Sequence, residues 1–361
     1  MRKHLLSLMA VIVLILSFPH ICSAEKAGSS LFYWEINLFQ GYSRNDGWTG
    51  TGPNELKKSI GVEDYRRFSG DYGDWLVTDL QIRLTYNSNI GLNDALDLEI
   101  HNAYARFKLL YGRADIWVGH WEPAFGQEPQ IDTYPDILET LYMKNIGFKQ
   151  DWGIGVRGAF PWWDYKLTAT NGSGMGIQFE GNYLFAGRIG IGDPSFDNYN
   201  LGFSALYGKT IDSMGKRLVS SDTPLKRRIG IDVSLFYGSF ELRGEAVYGT
   251  EDEKDVAGTW ARIYYFLTPD QKWRMDMQYQ NWYHNLNKKG VVDSAAYAET
   301  SSAQVLGFSY KLNAPYLLRI YYAHDIEGRT GKEDDKVMFQ LYYYYPDIRG
   351  ITNLQSDYGG E

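Results

Sequence analysis

The chain has 361 residues, with 36 Lys and Arg against 44 Asp and Glu, a formal net charge of −8 and a mean hydropathy of −0.38. That acidic balance argues against nucleic acid as a partner, because phosphate binding draws on an excess of cations. With 29 Tyr, 17 Phe, 11 Trp and 38 Gly the aromatic and glycine load is heavy, yet beyond the N-terminus no stretch approaches the ~18 apolar residues that mark a membrane helix.

In chain order, the first predicted element is a secretory signal peptide over 1–24. Arg2, Lys3 and His4 form a basic start, an apolar run follows from Leu5 to Phe18, and Cys22-Ser23-Ala24 supplies the small residues of a cleavage site. The apolar run falls short of the ~20 residues of a spanning helix. Cys22 is the single cysteine and leaves with the signal. The mature chain then has no disulfide, thiol nucleophile or thiolate metal site.

Strand patterns follow at regular spacing, each apolar on one parity and polar on the other, as a period of two requires. In 32–38, Phe32, Trp34, Ile36 and Leu38 enclose Glu35 and Asn37. The polar segment 61–69 is the one candidate between Tyr42 and Trp75. In 76–86, Leu80, Ile82, Leu84 and Tyr86 oppose Asp79, Gln81 and Arg83. Over 96–109 the apolar parity changes phase near Asn102, which predicts a β-bulge. Further strands are expected over 115–121, 153–160, 163–170, 183–191 and 200–209.

A hairpin spans 228–248. Ile229, Ile231, Val233 and Leu235 share one parity, Gly238-Ser239 makes a type II′ turn, and Phe240 and Leu242 bring the apolar face back. Strands over 259–267, 273–283, 305–312, 316–325 and 336–345 complete the series. With the weak segment 61–69 the count is sixteen, even, as single-chain bacterial barrels require. Tight turns (112–113, 161–162, 238–239, 268–271, 313–315) alternate with long polar loops (122–152, 171–182, 210–226, 249–256, 284–301, 326–335). This is the pattern of an all-β, antiparallel transmembrane β-barrel in a Gram-negative outer membrane, with short turns in the periplasm. Lipid then meets the apolar parity. The expected division is a signal over 1–24, a barrel over 25–345 and a polar tail over 346–361. The last strand ends in an aromatic, Tyr345, which resembles the signal read by barrel-assembly machinery. The tail reads as a disordered periplasmic end; the sharper alternative is a segment that contacts a periplasmic partner or enters the lumen.

The inward parity supplies the candidate pore-lining residues. They are Asp79, Arg83, Arg106, Lys108, Arg157 and Arg188, then Arg228, Asp232, Glu241, Arg243 and Glu245 of the hairpin, and Arg274, Asp276 and Arg319. Lys166 has the same parity. Cations lead slightly and acids interleave, so a weakly selective lumen is expected, with opposite charges paired across neighbouring strands. Chemistry motifs are lacking. His101, His120, His284 and His324 sit in no HExxH or carboxylate cluster, and Ser173 lacks a nucleophile elbow. No catalytic residue, metal or cofactor is expected.

Two segments carry a family resemblance. Asn102-Ala103-Tyr104-Ala105-Arg106-Phe107, a tight turn, and Ile116-Trp117-Val118-Gly119-His120-Trp121-Glu122-Pro123-Ala124-Phe125-Gly126 resemble a signature of the phosphate-selective porin O/P family. Asp136-Ile137-Leu138-Glu139, with the hairpin that follows through 174, is similar to that family's inward-folded third loop and next hairpin. The likeness is clearest over about 95–175. It implies a trimeric, sixteen-stranded diffusion channel whose constriction is loop 122–152. Trp121, Glu122, Glu128, Asp132, Asp136, Glu139 and Trp152 are its candidate residues, with Trp121 and Trp152 placed to touch solute. An acidic constriction favours cations, while the wall leads in cations, so the sign of selectivity stays open. Passive diffusion of small hydrophilic solutes or ions is the expected function. The alternative is a structural sleeve around an exported partner, such as the porin part of a cytochrome electron conduit.

Overall fold

A computed structural model describes residues 29–49, 57–71, 73–86, 96–127, 140–192, 198–211, 223–284, 300–313, 315–328 and 331–349. The predicted signal peptide lies outside them. The strands run β1 Ser29–Ser43, β2 Gly47–Thr49, β3 Lys58–Gly70, β4 Gly73–Tyr86, β5 Leu96–Leu109 and β6 Ala114–Trp121. They continue with β7 Asp151–Phe160, β8 Trp163–Thr170, β9 Tyr183–Ile191, β10 Tyr199–Lys209, β11 Leu225–Tyr237 and β12 Phe240–Glu251. The last five are β13 Lys254–Phe266, β14 Trp273–His284, β15 Thr300–Asn313, β16 Tyr316–Glu327 and β17 Lys332–Arg349.

Neighbours in sequence pair antiparallel, and β1 closes the sheet by pairing with both β3 and β17. The three-residue β2 only folds back on the end of β1. The architecture is therefore a closed sixteen-stranded barrel, and the polar 61–69 segment is part of β3. Closure removes every sheet edge, which matters most where no water is present to satisfy backbone groups. Among the described residues no helix is long and apolar enough to cross a membrane.

Side chains sort as the alternation requires. Along β10, Leu201, Phe203 and Tyr207 are exposed, while Asn200 and Ser204 are buried. The same holds on β11 and β12, where Ile229, Ile231, Leu235 and Tyr248 face out. An apolar band of this extent far exceeds the patches that soluble monomers expose, and it suits a lipid surround. Trp34, Trp75, Trp162 and Trp273 stand exposed on the outer surface.

The bulge near Asn102 is present. Gln81 pairs with Asn102 and Ile82 with Ile100, which leaves His101 as the extra residue. Gly238 has φ +56, as a type II′ turn needs. Two expected long loops are mostly strand. In place of 249–256 the strands reach Glu251 and resume at Lys254, with Asp252 (φ 45) and Glu253 (φ 67) in the left-handed conformation of a type I′ turn. In place of 326–335, β16 ends at Glu327 and β17 begins at Lys332. The last strand also continues past Tyr345, pairing with β1 as far as Arg349 opposite Ser30.

After β6 the chain turns into the barrel. Ala124, Phe125, Leu141, Ile146 and Phe148 are buried against Leu184, Ala186, Leu206, Val247, Trp260, Trp282 and Ala303, which project inward from β9, β10 and β12 to β15. Burying one such large apolar side chain stabilises by about 1.5–3 kcal/mol. The described ends of the loop, 122–127 and 140–150, are thus fixed to the inner wall rather than to the rim.

Candidate functional site: the inner wall and the inward loop

Some charges on the inner wall pair over the top of an intervening strand. Glu35 of β1, Gly61 of β3 and Arg83 of β4 lie in one cross-strand row. Arg83 Nε donates to Glu35 Oε1 at 2.9 Å and its Nη2 to Oε2 at 2.8 Å, a buried bidentate pair. A Cβ on Gly61 would stand 2.9 Å from Arg83 Cγ, so glycine clears the path. The device recurs at Gly202 of β10. Over it Arg188 of β9 reaches Asp232 of β11, at 2.9 Å from Nε and 2.7 Å from Nη2, while Arg188 Nη1 also donates to Asp164 at 3.0 Å.

Directly opposed residues, by contrast, often carry the same charge. Asp232 faces Glu245, Arg243 faces Arg262, and Arg157 faces Lys166, which in turn faces Arg188. The expected pairing of opposite charges across neighbouring strands is present at Arg188–Asp164, Arg228–Glu251 and Lys336–Asp325, and two-strand reaches such as Arg83–Glu35 add to it. Long Arg side chains reach carboxylates diagonally or two strands away, where glycine leaves room.

The loop answers one of these repulsive pairs. Gln127 donates its backbone N–H to Glu245 Oε2 at 3.0 Å and its Nε2 to Asp232 Oδ1 at 2.9 Å, and it accepts from Ser234 Oγ at 2.7 Å. Gly126 N–H donates to Ser204 Oγ and Ala124 N–H to Thr168 Oγ1. At the returning end, Asn145 donates to Glu251 and accepts from Lys226, and His284 donates Nε2–H to the Lys144 carbonyl at 2.7 Å. Arg228 binds the same Glu251 at 3.0 Å.

On the far wall a second network runs across five strands, β14 to β17 and β1. Asp276 binds Arg274 at 2.6 Å and accepts from Ser309 at 2.7 Å. Arg319 donates to Ser309 at 2.8 Å and to Gln340, which in turn donates to Asn37 of β1. Arg274 and Arg262 also stack on Tyr264, at 3.8 and 4.2 Å from the ring centre. Glu241 binds Arg243 at 2.6 Å, and Asp79 accepts from Asn102 at 3.0 Å. Beside this network Phe39, Val305, Tyr321, Met338 and Tyr342 form a buried cluster on the inner parity.

A cavity of about 550 Å³ opens on the inner wall between β5 and β12, lined among others by Arg106, Lys108, Asp115, Arg157, Lys166 and Arg188. Trp121 is buried beside it, stacked on Tyr104 at 4.3 Å and crossed by Arg106 and Arg157 at 5.6 and 5.5 Å. Trp152 is placed differently. It shares the parity of exposed Ile154, packs on His120 and donates its indole N–H to the Met175 carbonyl, so it turns away from the lumen. Glu122 lies within electrostatic reach of Arg157 and Lys166. Glu128, Asp132, Asp136 and Glu139 lie outside the described residues.

The pore-lining candidates thus all sit on the inner parity, and most are drawn into pairs. Sequence reasoning missed Gln127, the latch between loop and wall, and Asp164, the second partner of Arg188. Both were visible only as ordinary polar residues.

No family model matches the chain, and no curated protein does. Solved structures do resemble it. OmpT, an outer membrane protein of Vibrio cholerae described in a trimer form, aligns with a TM-score of 0.60 at 11% identity, over 89% of this chain and 100% of that one. The outer membrane channel DcaP of Acinetobacter baumannii aligns at 0.58 and 12% identity, over 90% and 99%. The anion-selective porin from Comamonas acidovorans aligns at 0.56 and 11% identity, over 88% and 100%. At these identities the likeness is one of fold: the chain is built as a sixteen-stranded barrel of the outer-membrane porin type.

Proposed function

We propose that the chain is an outer-membrane porin, a passive diffusion channel for small hydrophilic solutes or ions, and not an enzyme. The observation that carries this reading is a closed barrel with an apolar outside, a charged inside and a loop packed within it. Lipid suits only the first of these surfaces and water only the second. Export would run through the signal over 1–24, and the working form would be a homotrimer, as the trimer form of one structural neighbour suggests. Kinship with the phosphate-selective porin O/P family is the finer part of the proposal and rests on the motifs over about 95–175. The sleeve reading gains no observation, since the protein's own loop packs inside the barrel.

Because most lumenal charges are engaged in pairs, selectivity should be weak. Purified protein in planar bilayers tests both points. Stepwise currents proportional to salt, with a permeability ratio below roughly tenfold, the factor that 1.4 kcal/mol of differential binding gives, are expected. A barrel that carries no current would overturn the reading.

A further inference from the structure

Arg157 of β7, Lys166 of β8 and Arg188 of β9 stand directly opposite one another on the inner wall. Three cations in a row repel unless each has an anion at hand. Arg188 has two, Asp232 and Asp164. Arg157 and Lys166 make no ion pair or hydrogen bond with any carboxylate among the described residues. The neighbouring Arg106 reaches Asp115 only at 3.9 Å.

Arg157 is nevertheless held in place. Its guanidinium lies over Trp121 at 5.5 Å, with Arg106 over the same indole at 5.6 Å. Such contacts orient the planar group through its face and leave the in-plane N–H donors unused. Arg157 and Lys166 both line the cavity of about 550 Å³. An oriented fork and an ammonium thus share one space with no carboxylate in contact among the described residues, although Asp115 stands opposite Arg157 on β6.

We propose that this cavity binds a small organic monocarboxylate, gripped by the Arg157 fork with Lys166 as the second cation. The proposal rests on the channel reading only for the ligand's access from water. A planar carboxylate matches a guanidinium with two parallel hydrogen bonds. A single charge is favoured because Asp115 and Asp164 line the same cavity and Glu122 acts electrostatically on both cations. A dianion would meet those three carboxylates. Glu122 would also compete with the ligand for the two cations.

Calorimetric titration of the full chain in detergent with sodium benzoate, and separately with inorganic phosphate near neutral pH, tests this. Saturable benzoate binding, tighter than that of phosphate, is expected. Arg157→Lys keeps the charge but loses the fork and should weaken binding at least roughly tenfold. Lys166→Gln should weaken it comparably, and Glu122→Gln should tighten it, a gain that a misfolded variant would not show. Absence of saturable benzoate binding, tighter binding of phosphate, or unchanged affinity in Arg157→Lys would each overturn the proposal. Bilayer current keeps the two readings apart. Binding without conductance removes the channel and leaves the site, whereas conductance without binding does the reverse.

Discussion

Gln127→Ala is the most direct test of how the inward loop is held. The side chain is buried and makes two hydrogen bonds, one donated to the Asp232 carboxylate that Arg188 also binds and one accepted from Ser234. A bond to a charged partner contributes about 1.5–3 kcal/mol and a neutral one about 0.5–1.5 kcal/mol. Their joint loss therefore costs roughly 2–4.5 kcal/mol. The backbone bond from Gln127 to Glu245 survives the substitution, as do the contacts of Phe125. The damage should stay local, because the wall strands keep their ladders. At ~1.4 kcal/mol per factor of ten, a loss near 3 kcal/mol raises the open population of this loop end about a hundredfold. Hydrogen exchange of the segment 124–127 reports that population when closing is fast. A hundredfold faster exchange, with the urea midpoint of the barrel nearly unchanged, is expected, together with a noisier single-channel current. Exchange at the wild-type rate would refute the latch. A fall of the whole barrel's midpoint would refute the idea that the loop opens as a separate unit.

Three further outcomes follow from the same geometry. Gly202→Val places a Cβ 2.3 Å from Asp232 Oδ2 and 2.4 Å from Arg188 Nη2; separating that buried pair should cost about 3–5 kcal/mol, and an unchanged urea midpoint would contradict the role given to the glycine. In Gly258→Val the added atoms start 2.7 Å from Leu141 Cδ2 and 2.9 Å from Ile146 Cδ1, so overpacking of about 1–3 kcal/mol should appear as faster exchange over 140–148; equal exchange would show that the loop packs elsewhere. In the β13–β14 turn the Thr268 hydroxyl, and next the Lys272 N–H, hold the Asp270 carboxyl below its ordinary range. A depressed carboxyl stabilises the turn above its ordinary pKa, and the effect fades as pH falls through the folded value. Thr268→Ala should move the Asp270 midpoint upward in a carbonyl NMR titration, and an unmoved midpoint would remove the hydroxyl as the cause.

How far the fold could be read in the sequence depends on how different the two solvents are. Where lipid meets one parity, as at Ile229, Ile231 and Leu235 against Arg228 and Asp232, alternation is unmistakable and strand, face and turn follow from it. Above the headgroups both faces meet water, and the contrast vanishes. That is why Glu251-Asp252-Glu253-Lys254 reads as a loop although it forms two strand ends and a turn, and why 326–335 reads likewise. The inner wall suffers from a related loss. Parity says that Arg188 and Asp232 face inward, but not that they meet across Gly202, because pairing over a strand depends on register and on a missing Cβ. Nor does parity separate the polar inner wall from the apolar inner cluster of Phe39, Val305, Tyr321, Met338 and Tyr342. Those side chains occupy inward positions, so period two counts them with the charges. The same limit hid the cavity. Arg157 and Lys166 read as two more members of a charged ladder, whereas register sets them side by side, with no carboxylate in contact among the described residues. A barrel's wall is written in its alternation. Its site is written in register, which sets residues far apart in sequence against one another and so decides which lumenal charges stay uncompensated and open to a solute.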